Sequence, residues 1–304
     1  FAVLMTIGVL YWFLPRLWGC PAPPAWRAQT AFILLFGGLL VVLLGFMTGI
    51  RSLVVFGAVG EGVGAACVVG EFANLLRRRK EPGKGSDPAM LAALGSTALA
   101  LPLAYVTQLL SALRMSLSSV QLSYMLAFYG VLVPVALAMS SRLFPLYFRT
   151  RLPERRTLAA AIVVSVVGLY LRLAGDASAW HGGVRLGCAL QAAGIVGAIA
   201  ALRMLAPREK RPAAARVLWR DPTAWLVHIA YASLAADAVA LVATVWSGQE
   251  PSPSLEWHLV GVGYVTCLIA GVGTHLLPGF ARRRPRSQHA GWVLLGLLAG
   301  ALLL

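Results

Sequence analysis

The sequence predicts an all-α fold, a polytopic bundle of transmembrane helices. Of the 304 residues, 59% are hydrophobic and only 12% are charged, and the mean hydropathy is +0.77. Soluble globular domains do not reach this composition. Apolar runs of about 20 residues, long enough to cross a hydrocarbon core of about 30 Å, recur along the whole chain. The runs are continuous rather than alternating, so they favour helices over a β-barrel.

Ten segments are predicted within one transmembrane domain covering residues 1–304. They are 1–14, 29–48, 52–76, 89–112, 117–143, 157–174, 183–205, 222–247, 255–281 and 290–304. The first and last are too short to span a bilayer, so we expect the domain to be truncated at both ends. The four cysteines are scattered without a C-x-x-C pair, so neither a zinc site nor a disulfide framework is indicated.

The basic residues predict the orientation. The chain has 26 Lys and Arg and a net charge of +15, and these cations concentrate in the loops after the odd-numbered segments. The exceptions in the alternate loops are Arg51, Arg114, Arg172 and Arg185. This distribution follows the positive-inside rule, so the odd-numbered loops are expected in the cytoplasm and the protein in the inner membrane. No aromatic residues are interleaved with the basic runs Arg77-Arg78-Arg79-Lys80 and Arg282-Arg283-Arg284, so the lipid bilayer rather than nucleic acid is the expected partner.

Two sequence markers repeat at a nearly constant interval, a sign of internal repeats with a period of about 130 residues. Pro15, Pro145 and Pro278 follow this interval, and each closes a segment that leads into a basic loop. The pairs Asp87-Pro88 and Asp221-Pro222 follow it too, each where Asp caps a helix and Pro occupies its first position. The period spans four segments, so we predict repeats at about 1–112, 117–247 and 255–304. They would form a pseudo-threefold bundle in which segments 1, 5 and 9 are equivalent.

Carboxylates inside predicted spans are candidates for function because they are costly to bury in a membrane. Glu61 lies in segment 3 among glycines that would let a neighbouring helix or a flat cofactor come close. It is either a proton-relay or ligand-contacting group, or a hydrogen-bonded core residue. Asp237 is expected to face the bundle interior from segment 8, whereas Glu71 is expected to pair with Arg77 or Arg78.

Three histidines also lie in spans. His258 is in the first turn of segment 9, on the expected outer side, whereas His228 and His275 lie toward the cytoplasm. They cannot all hold one metal ion, and no H-x-x-x-H or H-x-x-E pair is present. Each is therefore either a ligand or an interfacial, hydrogen-bonded histidine.

The repeat pattern, with a histidine twenty residues before a Leu-Pro helix end, resembles the core of heme-copper oxidase subunit I. A closer resemblance is to the NnrS family of membrane proteins. It lies in "VLYWFLPRL", in "DPTAWLVHIAYASLAADAVALV" and in "EWHLVGVGYVTCLIAGVGTHLLPGFARR". The second stretch is similar to the family's Trp-x-x-His-x-x-Tyr helix, carried by Trp225, His228 and Tyr231. The histidine of the family's following helix falls on His258.

The resemblance implies a haem- and copper-containing protein linked to nitric oxide metabolism, with nitric oxide or a related small molecule as ligand. His258 would be an axial ligand of a haem near the outer side, and its partner would be a histidine five positions before Phe1. His228 and Tyr231 would line the cofactor site, with Glu61, Asp237 and His275 as interior proton or polar sites.

Two alternatives to this function remain open. Met125 occupies the position of a histidine that a binuclear haem–copper centre would need, which argues against an oxidase-type reaction. Met125 and Met139 are soft potential copper ligands but also ordinary packing residues. The alternatives are a transporter or permease without a cofactor, and a degenerate heme-copper oxidase subunit. Whether the protein is an enzyme is left open.

Overall fold

The computed structural model of this chain describes residues 2–79, 87–114, 118–147, 150–204, 206, 221–249, 252–280 and 288–303. These residues form ten helices, which confirms the predicted all-α fold. The first four are α1 (Ala2–Trp18), α2 (Ala25–Thr48), α3 (Arg51–Arg77) and α4 (Pro88–Arg114). Next come α5, α6 (Arg155–Ala177), α7 (His181–Leu202), α8 (Pro222–Ser247), α9 and α10 (Gln288–Leu303).

Two of these helices change their winding along their length. Helix α5 runs from Ser118–Met125 through a π-helical segment, Leu126–Leu132, to Val133–Tyr147. Helix α9 likewise runs from Pro253–Glu256 through a π-helical segment, Trp257–Thr266, to Cys267–Phe280. A π-helical turn adds one residue to the hydrogen-bonded ring and is frequently found at functional sites. Both stretches lie in helices that the sequence pairs as equivalents.

Among the described residues, eight helices are long and apolar enough to cross a membrane, and α1 and α10 are shorter apolar helices. This agrees with eight predicted spans flanked by two short segments. Their surfaces are apolar, as lipid contact requires: Phe32, Phe56 and Val239, for example, are large hydrophobic residues that remain exposed. The chain is therefore a multi-pass membrane protein by composition and fold.

The chain divides into two compact units, Phe1–Val135 and Ala136–Leu304. In the first unit α2 and α3 form a helical hairpin, α3 packs on α4, and α4 packs on the π-helical segment of α5. In the second unit α6 and α7 form a hairpin, α7 packs on α8, and α8 packs on the π-helical segment of α9. The same order of helix contacts therefore occurs in both units. The predicted repeat boundaries and the pseudo-threefold arrangement stay predictions.

Local capping follows the Asp-Pro markers, as predicted. The Asp221 carboxylate accepts a hydrogen bond from the Thr223 backbone N–H at 2.9 Å at the start of α8. At the start of α4 the Asp87 carboxylate accepts from the Ala89 N–H at 3.1 Å. Helices α2 and α8 both end at a glycine with φ of 70°, Gly49 and Gly248, a left-handed conformation that favours glycine.

Candidate functional site

Glu61 is a buried carboxylate of the first unit. Its side chain is buried, and one of its carboxylate oxygens accepts a hydrogen bond from Nε2 of Gln108 on α4 at 2.7 Å. Tyr105, one turn earlier on α4, is close enough for the Glu61 charge to act on its phenol. Glu61 therefore lies between α3 and α4, hydrogen-bonded to a neutral amide.

The glycines around Glu61 bring α2 against α3. A Cβ atom added to Gly38 would lie 2.7 Å from the Gly57 carbonyl oxygen and 2.8 Å from Cγ of Glu61. A Cβ atom added to Gly64 would lie 2.8 Å from Cγ of Leu35. The element that packs against the glycines of α3 is helix α2. The sequence left open a neighbouring helix or a flat cofactor at this place, and the structure has a helix there.

Glu71, nearly three turns further along α3, is held by α2. Its carboxylate forms an ion pair with Arg27 at 3.1 Å and accepts a hydrogen bond from Asn74 Nδ2 at 3.4 Å. The sequence predicted a partner in Arg77 or Arg78 on the same helix. The structure corrects this prediction, because the hairpin brings the oppositely charged end of α2 alongside.

His258 opens the π-helical segment of α9. Its Nε2–H donates a hydrogen bond to the Leu302 carbonyl of α10 at 2.9 Å, and the side chain is partly buried. The last turn of a helix has carbonyls without intrahelical partners, so this bond satisfies one of them. His258 thereby ties α9 to α10.

His228 and Tyr231 on α8 bond to groups other than His258. The Nδ1–H of His228 donates to the Ala224 carbonyl, one turn back on its own helix, at 2.6 Å. The Tyr231 hydroxyl donates to Oγ of Ser140 at 2.8 Å, and the ring packs edge-on against Tyr264 with centroids 5.3 Å apart. Both residues have internal hydrogen bonds, so their proposed lining of a cofactor site stays a prediction. The side chain of His275 lies outside the described residues.

Asp237 belongs to a buried charged cluster in the second unit. The cluster centres on an ion pair between Arg172 of α6 and Glu256 of α9, 2.6 Å apart, with both side chains less than a tenth exposed. Asp237 of α8 is fully buried, and Arg172, Glu256 and Asp237 all act electrostatically on the Cys188 thiol of α7. Four helices thus contribute to one polar region, which agrees with the inward position expected for Asp237.

Gln191 lies one turn beyond Cys188 on α7. It has no exposed surface, and neither its Nε2 nor its Oε1 has a hydrogen-bond partner among the described residues. A buried amide without partners is costly, since a carboxamide can donate two hydrogen bonds and accept two. This residue adds unused hydrogen-bonding capacity next to the charged cluster.

Sequence reasoning missed Arg172, Glu256 and Gln191. The sequence places Arg172 in an outer loop because it lies near a helix end, whereas the structure shows it buried within α6. The available signal was a second copy of one pattern: Gly57-x-x-x-Glu61-x-x-Gly64 recurs one period later as Gly187-x-x-x-Gln191-x-x-Gly194. When the two copies are aligned, Gln191 occupies the position equivalent to Glu61, which marks Gln191 as a candidate site residue.

A haem iron or a copper ion would need ligands from the side chains described above. His258 offers an imidazole, but its Nε2–H is engaged by Leu302, so coordination through Nε2 requires that bond to be exchanged. Among the described residues, no three His, Cys, Asp or Glu side chains lie together as a metal site. Of these side chains His258 is the one that would hold a haem, and it would have to release the Leu302 contact to do so.

The fold and these buried sites define a multi-pass α-helical membrane protein with polar groups in its interior. Comparison with known proteins adds no closer class: no family model, no curated protein and no solved structure matches the chain.

Proposed function

We propose that this chain is an inner-membrane protein of the NnrS type that binds haem through His258. The observation that carries the proposal is the position of His258 in its helix. It lies twenty residues before Pro278 and in the first turn of a π-helical segment. Met125 lies twenty residues before Pro145 and immediately precedes the other π-helical segment. π-Helical segments are frequent at functional sites, and His258 would supply the imidazole nitrogen that binds the iron.

The residues of the chain would have the following tasks. His258 would exchange the Leu302 carbonyl for haem iron, and Tyr231 and His228 would shape the neighbouring wall from α8. A haem held in this way would supply an iron that can bind a small diatomic molecule such as nitric oxide. A link to nitric oxide metabolism follows from that chemistry and from the resemblance, and the copper assignment remains a proposal on the same resemblance.

The test is a spectrum of the purified full-length protein with His258→Ala and a matched control. His181→Ala is the control, because His181 is exposed at the start of α7. We expect a Soret band in the wild-type protein and in His181→Ala, with the band shifted or lost in His258→Ala. A wild-type protein reconstituted with haem that shows no Soret band, or a band identical in His258→Ala, would refute the proposal.

A second candidate function, a permease without a cofactor, is favoured by Glu61. A buried carboxyl group beside a neutral amide can take up and release a proton, as proton-coupled carriers require. Proton leak into dye-loaded proteoliposomes of metal-free protein would measure this. We expect Glu61→Gln to abolish a flux that the exposed control Glu154→Gln retains. Equal flux in both variants would remove Glu61 from this role.

A further inference from the structure

Two arginine–tryptophan pairs lie at one end of the first unit. The guanidinium carbon of Arg16, in the last turn of α1, lies 3.9 Å from the centroid of the Trp12 ring. The guanidinium carbon of Arg27, near the start of α2, lies 5.3 Å from the centroid of the Trp26 ring. A cation at such a distance is attracted by the electron-rich face of the ring. Each pair therefore joins a positive charge to a large apolar surface.

Contacts with α3 place the two pairs at the same level of the unit. Tyr11, the residue before Trp12, packs its ring against Phe72 with centroids 5.6 Å apart. Arg27 forms its ion pair with Glu71 at 3.1 Å, and Glu71 immediately precedes Phe72 on α3. Helices α1 and α2 therefore meet α3 at consecutive residues, with the pairs beside these contacts.

Both pairs are open to the surroundings of the protein. Trp12 is 41% and Trp26 62% exposed, Arg16 is exposed, and the side chain of Arg27 is 35% exposed. Tryptophan is enriched at the interface between membrane and water, because its ring is apolar at one end and polar at the other. The pairs thus offer rings to the lipid and guanidinium groups to the headgroup region.

Each guanidinium keeps hydrogen-bond donors for a ligand. A guanidinium carries five N–H donors. Within the described part of the chain, Arg16 donates one hydrogen bond, to the Trp12 carbonyl at 2.7 Å, and Arg27 donates one, to the Glu71 carboxylate. The planar fork of arginine matches the oxygen atoms of a phosphate group, which can accept two parallel hydrogen bonds. A phosphate is therefore a suitable ligand for these side chains.

The charge at this end of the first unit is positive. Three further arginines, at 77–79, follow from the end of α3, which lies beside the start of α2. The acidic residues described there are Glu71, in its ion pair, and Asp87, the cap of α4. Cations thus outnumber carboxylates. The positive-inside rule assigns this end to the cytoplasmic side, where the membrane surface carries anionic lipid.

The second unit allows a comparison, because the two helical hairpins are built on the same glycine positions, one repeat period apart. A Cβ atom added to Gly38 or to Gly168 would lie 2.7 Å from the carbonyl oxygen of Gly57 or Gly187, respectively. Each hairpin therefore closes with a matching backbone contact. Equivalent positions of the two units can be compared on this basis.

The tryptophans of the pairs have no counterpart at the equivalent positions of the second unit. At the same interval, Arg142 takes the position of Trp12 and Arg156 takes the position of Trp26. The second hairpin forms the matching glycine contact with these residues in place. Packing of a hairpin therefore does not require the tryptophans, which leaves them available for contact with lipid.

We propose that the surface formed by the two pairs, the arginine–tryptophan surface, binds the headgroup phosphate of an anionic phospholipid. Arg16 and Arg27 donate hydrogen bonds to phosphate oxygens, and the rings of Trp12 and Trp26 contact the acyl chains next to the headgroup. The site involves neither His258 nor Glu61, so it does not depend on the haem or the permease proposal.

The test measures contact between lipid and tryptophan directly. Full-length protein is reconstituted into phosphatidylcholine bilayers that contain a small fraction of either phosphatidylglycerol or phosphatidylcholine with brominated acyl chains. Bromine quenches the fluorescence of a tryptophan that it touches. The ratio of quenching by the two lipids therefore gives the relative association constant of the anionic lipid.

Three variants address the surface, and one is a matched control. Arg16→Gln removes an exposed guanidinium. The double variant Arg27→Gln, Glu71→Gln removes the second guanidinium without leaving a carboxylate unpaired and without changing the net charge. Trp12→Phe combined with Trp26→Phe removes the two fluorophores. Arg203→Gln is the control, because Arg203 is an exposed arginine of the second unit whose ion pair is with Glu154. Circular dichroism and gel filtration check the folding of every variant.

We expect wild-type protein to prefer phosphatidylglycerol, and Arg16→Gln to lower its relative association constant about five-fold, since a basic residue near the membrane surface contributes about 1 kcal/mol. The Arg27→Gln, Glu71→Gln variant should lower it as well, although its net charge is unchanged, and the double tryptophan variant should lose the additional quenching by the anionic lipid. Arg203→Gln should behave like the wild type. An equal fall in Arg16→Gln and Arg203→Gln, or a wild-type protein without preference for phosphatidylglycerol, would overturn the proposal.

Discussion

At the scale of single residues, two Arg–Glu ion pairs among the described residues of the second unit lie in opposite environments. Arg172 and Glu256 are buried, whereas the side chains of Arg203 and Glu154 are 42% and 50% exposed. Coulombic attraction is strong where water is excluded, but so is the penalty for removing only one partner. In water both effects are small. The two pairs should therefore respond very differently to the same substitution.

We predict that Arg172→Met lowers the free energy of unfolding by about 3–5 kcal/mol, because the Glu256 carboxylate is left buried without its guanidinium. Arg203→Met should cost at most about 1 kcal/mol. Unfolding in mixed micelles, followed by circular dichroism, measures both. Equal losses in the two variants would contradict the difference in burial.

The glycines give a second prediction at the same scale. A Cβ atom on Gly187 would lie 2.4 Å from the Arg172 backbone nitrogen, so the helices must move apart to admit it. On Gly197 it would lie 3.5 Å from Cβ of Ala161, an ordinary contact. We predict that Gly187→Ala destabilises by about 1–3 kcal/mol. Gly197→Ala should be neutral or slightly stabilising because alanine favours helix. The same unfolding assay measures both variants. An equal loss of stability in Gly197→Ala would argue against the close contact at Gly187.

At the scale of elements, helix positions were predictable because a membrane imposes one length and one polarity on each span. The predicted segment 222–247 coincides with α8, and segment 52–76 lies within α3. The π-helical segments were not predictable. They differ from α-helix by one residue per ring, a change that leaves apolar composition and span length unaltered. The charged cluster was missed for a related reason, since its residues come from four helices and share no local motif.

Helices α4 and α8 begin with the same kind of N-terminal cap, an aspartate carboxylate. Asp221 and Asp87 begin equivalent helices, and each accepts a hydrogen bond from a backbone N–H in the first turn. We predict that alanine at either position costs about 1 kcal/mol, since an N–H loses its acceptor. Asp176→Ala, in the exposed last turn of α6, is the control and should change stability by less. If Asp176→Ala loses as much stability as the two cap variants, the loss comes from removing a negative charge and not from removing a cap.

The π-helical segment of α5 is joined to α4 by a side-chain hydrogen bond. The Ser96 hydroxyl of α4 donates to the Gly130 carbonyl at 2.5 Å, a contact between two helices. The neighbouring Thr97 instead donates to Ala93 within its own helix. We predict that Ser96→Ala costs about 1 kcal/mol and loosens the segment, whereas Thr97→Val has a smaller effect. Hydrogen exchange of the amides at 126–132 measures the loosening. Unchanged exchange in Ser96→Ala would show that the bond does not hold the segment.

At the scale of the whole molecule, two helical hairpins with matching glycine contacts follow one another in a single chain. Predicted repeats of four spans would return the chain to the same side of the membrane, as the alternation of basic and nearly neutral loops in the sequence indicates. The backbone contacts of the two hairpins match, whereas the side chains at equivalent positions differ. The first unit carries a carboxylate at Glu61 where the second carries the neutral Gln191, and the second contains the charged cluster. The sequence predicts a repeat period but not this exchange of polarity, because the exchange is visible only after the hairpins are aligned.

The orientation of the spans can be tested along the whole chain with reporter fusions in the helix connections. Alkaline phosphatase fused after Gly49, Ala179 or Gly248 should be active, because these helix connections are expected outside the cytoplasm. Green fluorescent protein fused after Arg79 or Arg203 should fluoresce, since it folds on the cytoplasmic side. Each site also receives the other reporter as its control, which should be silent. A complete reversal of the reporter activities would show that the orientation is the opposite of the predicted one. A break in the alternation would instead remove a span and with it the four-helix repeat, because equivalent hairpins need an even number of crossings between them.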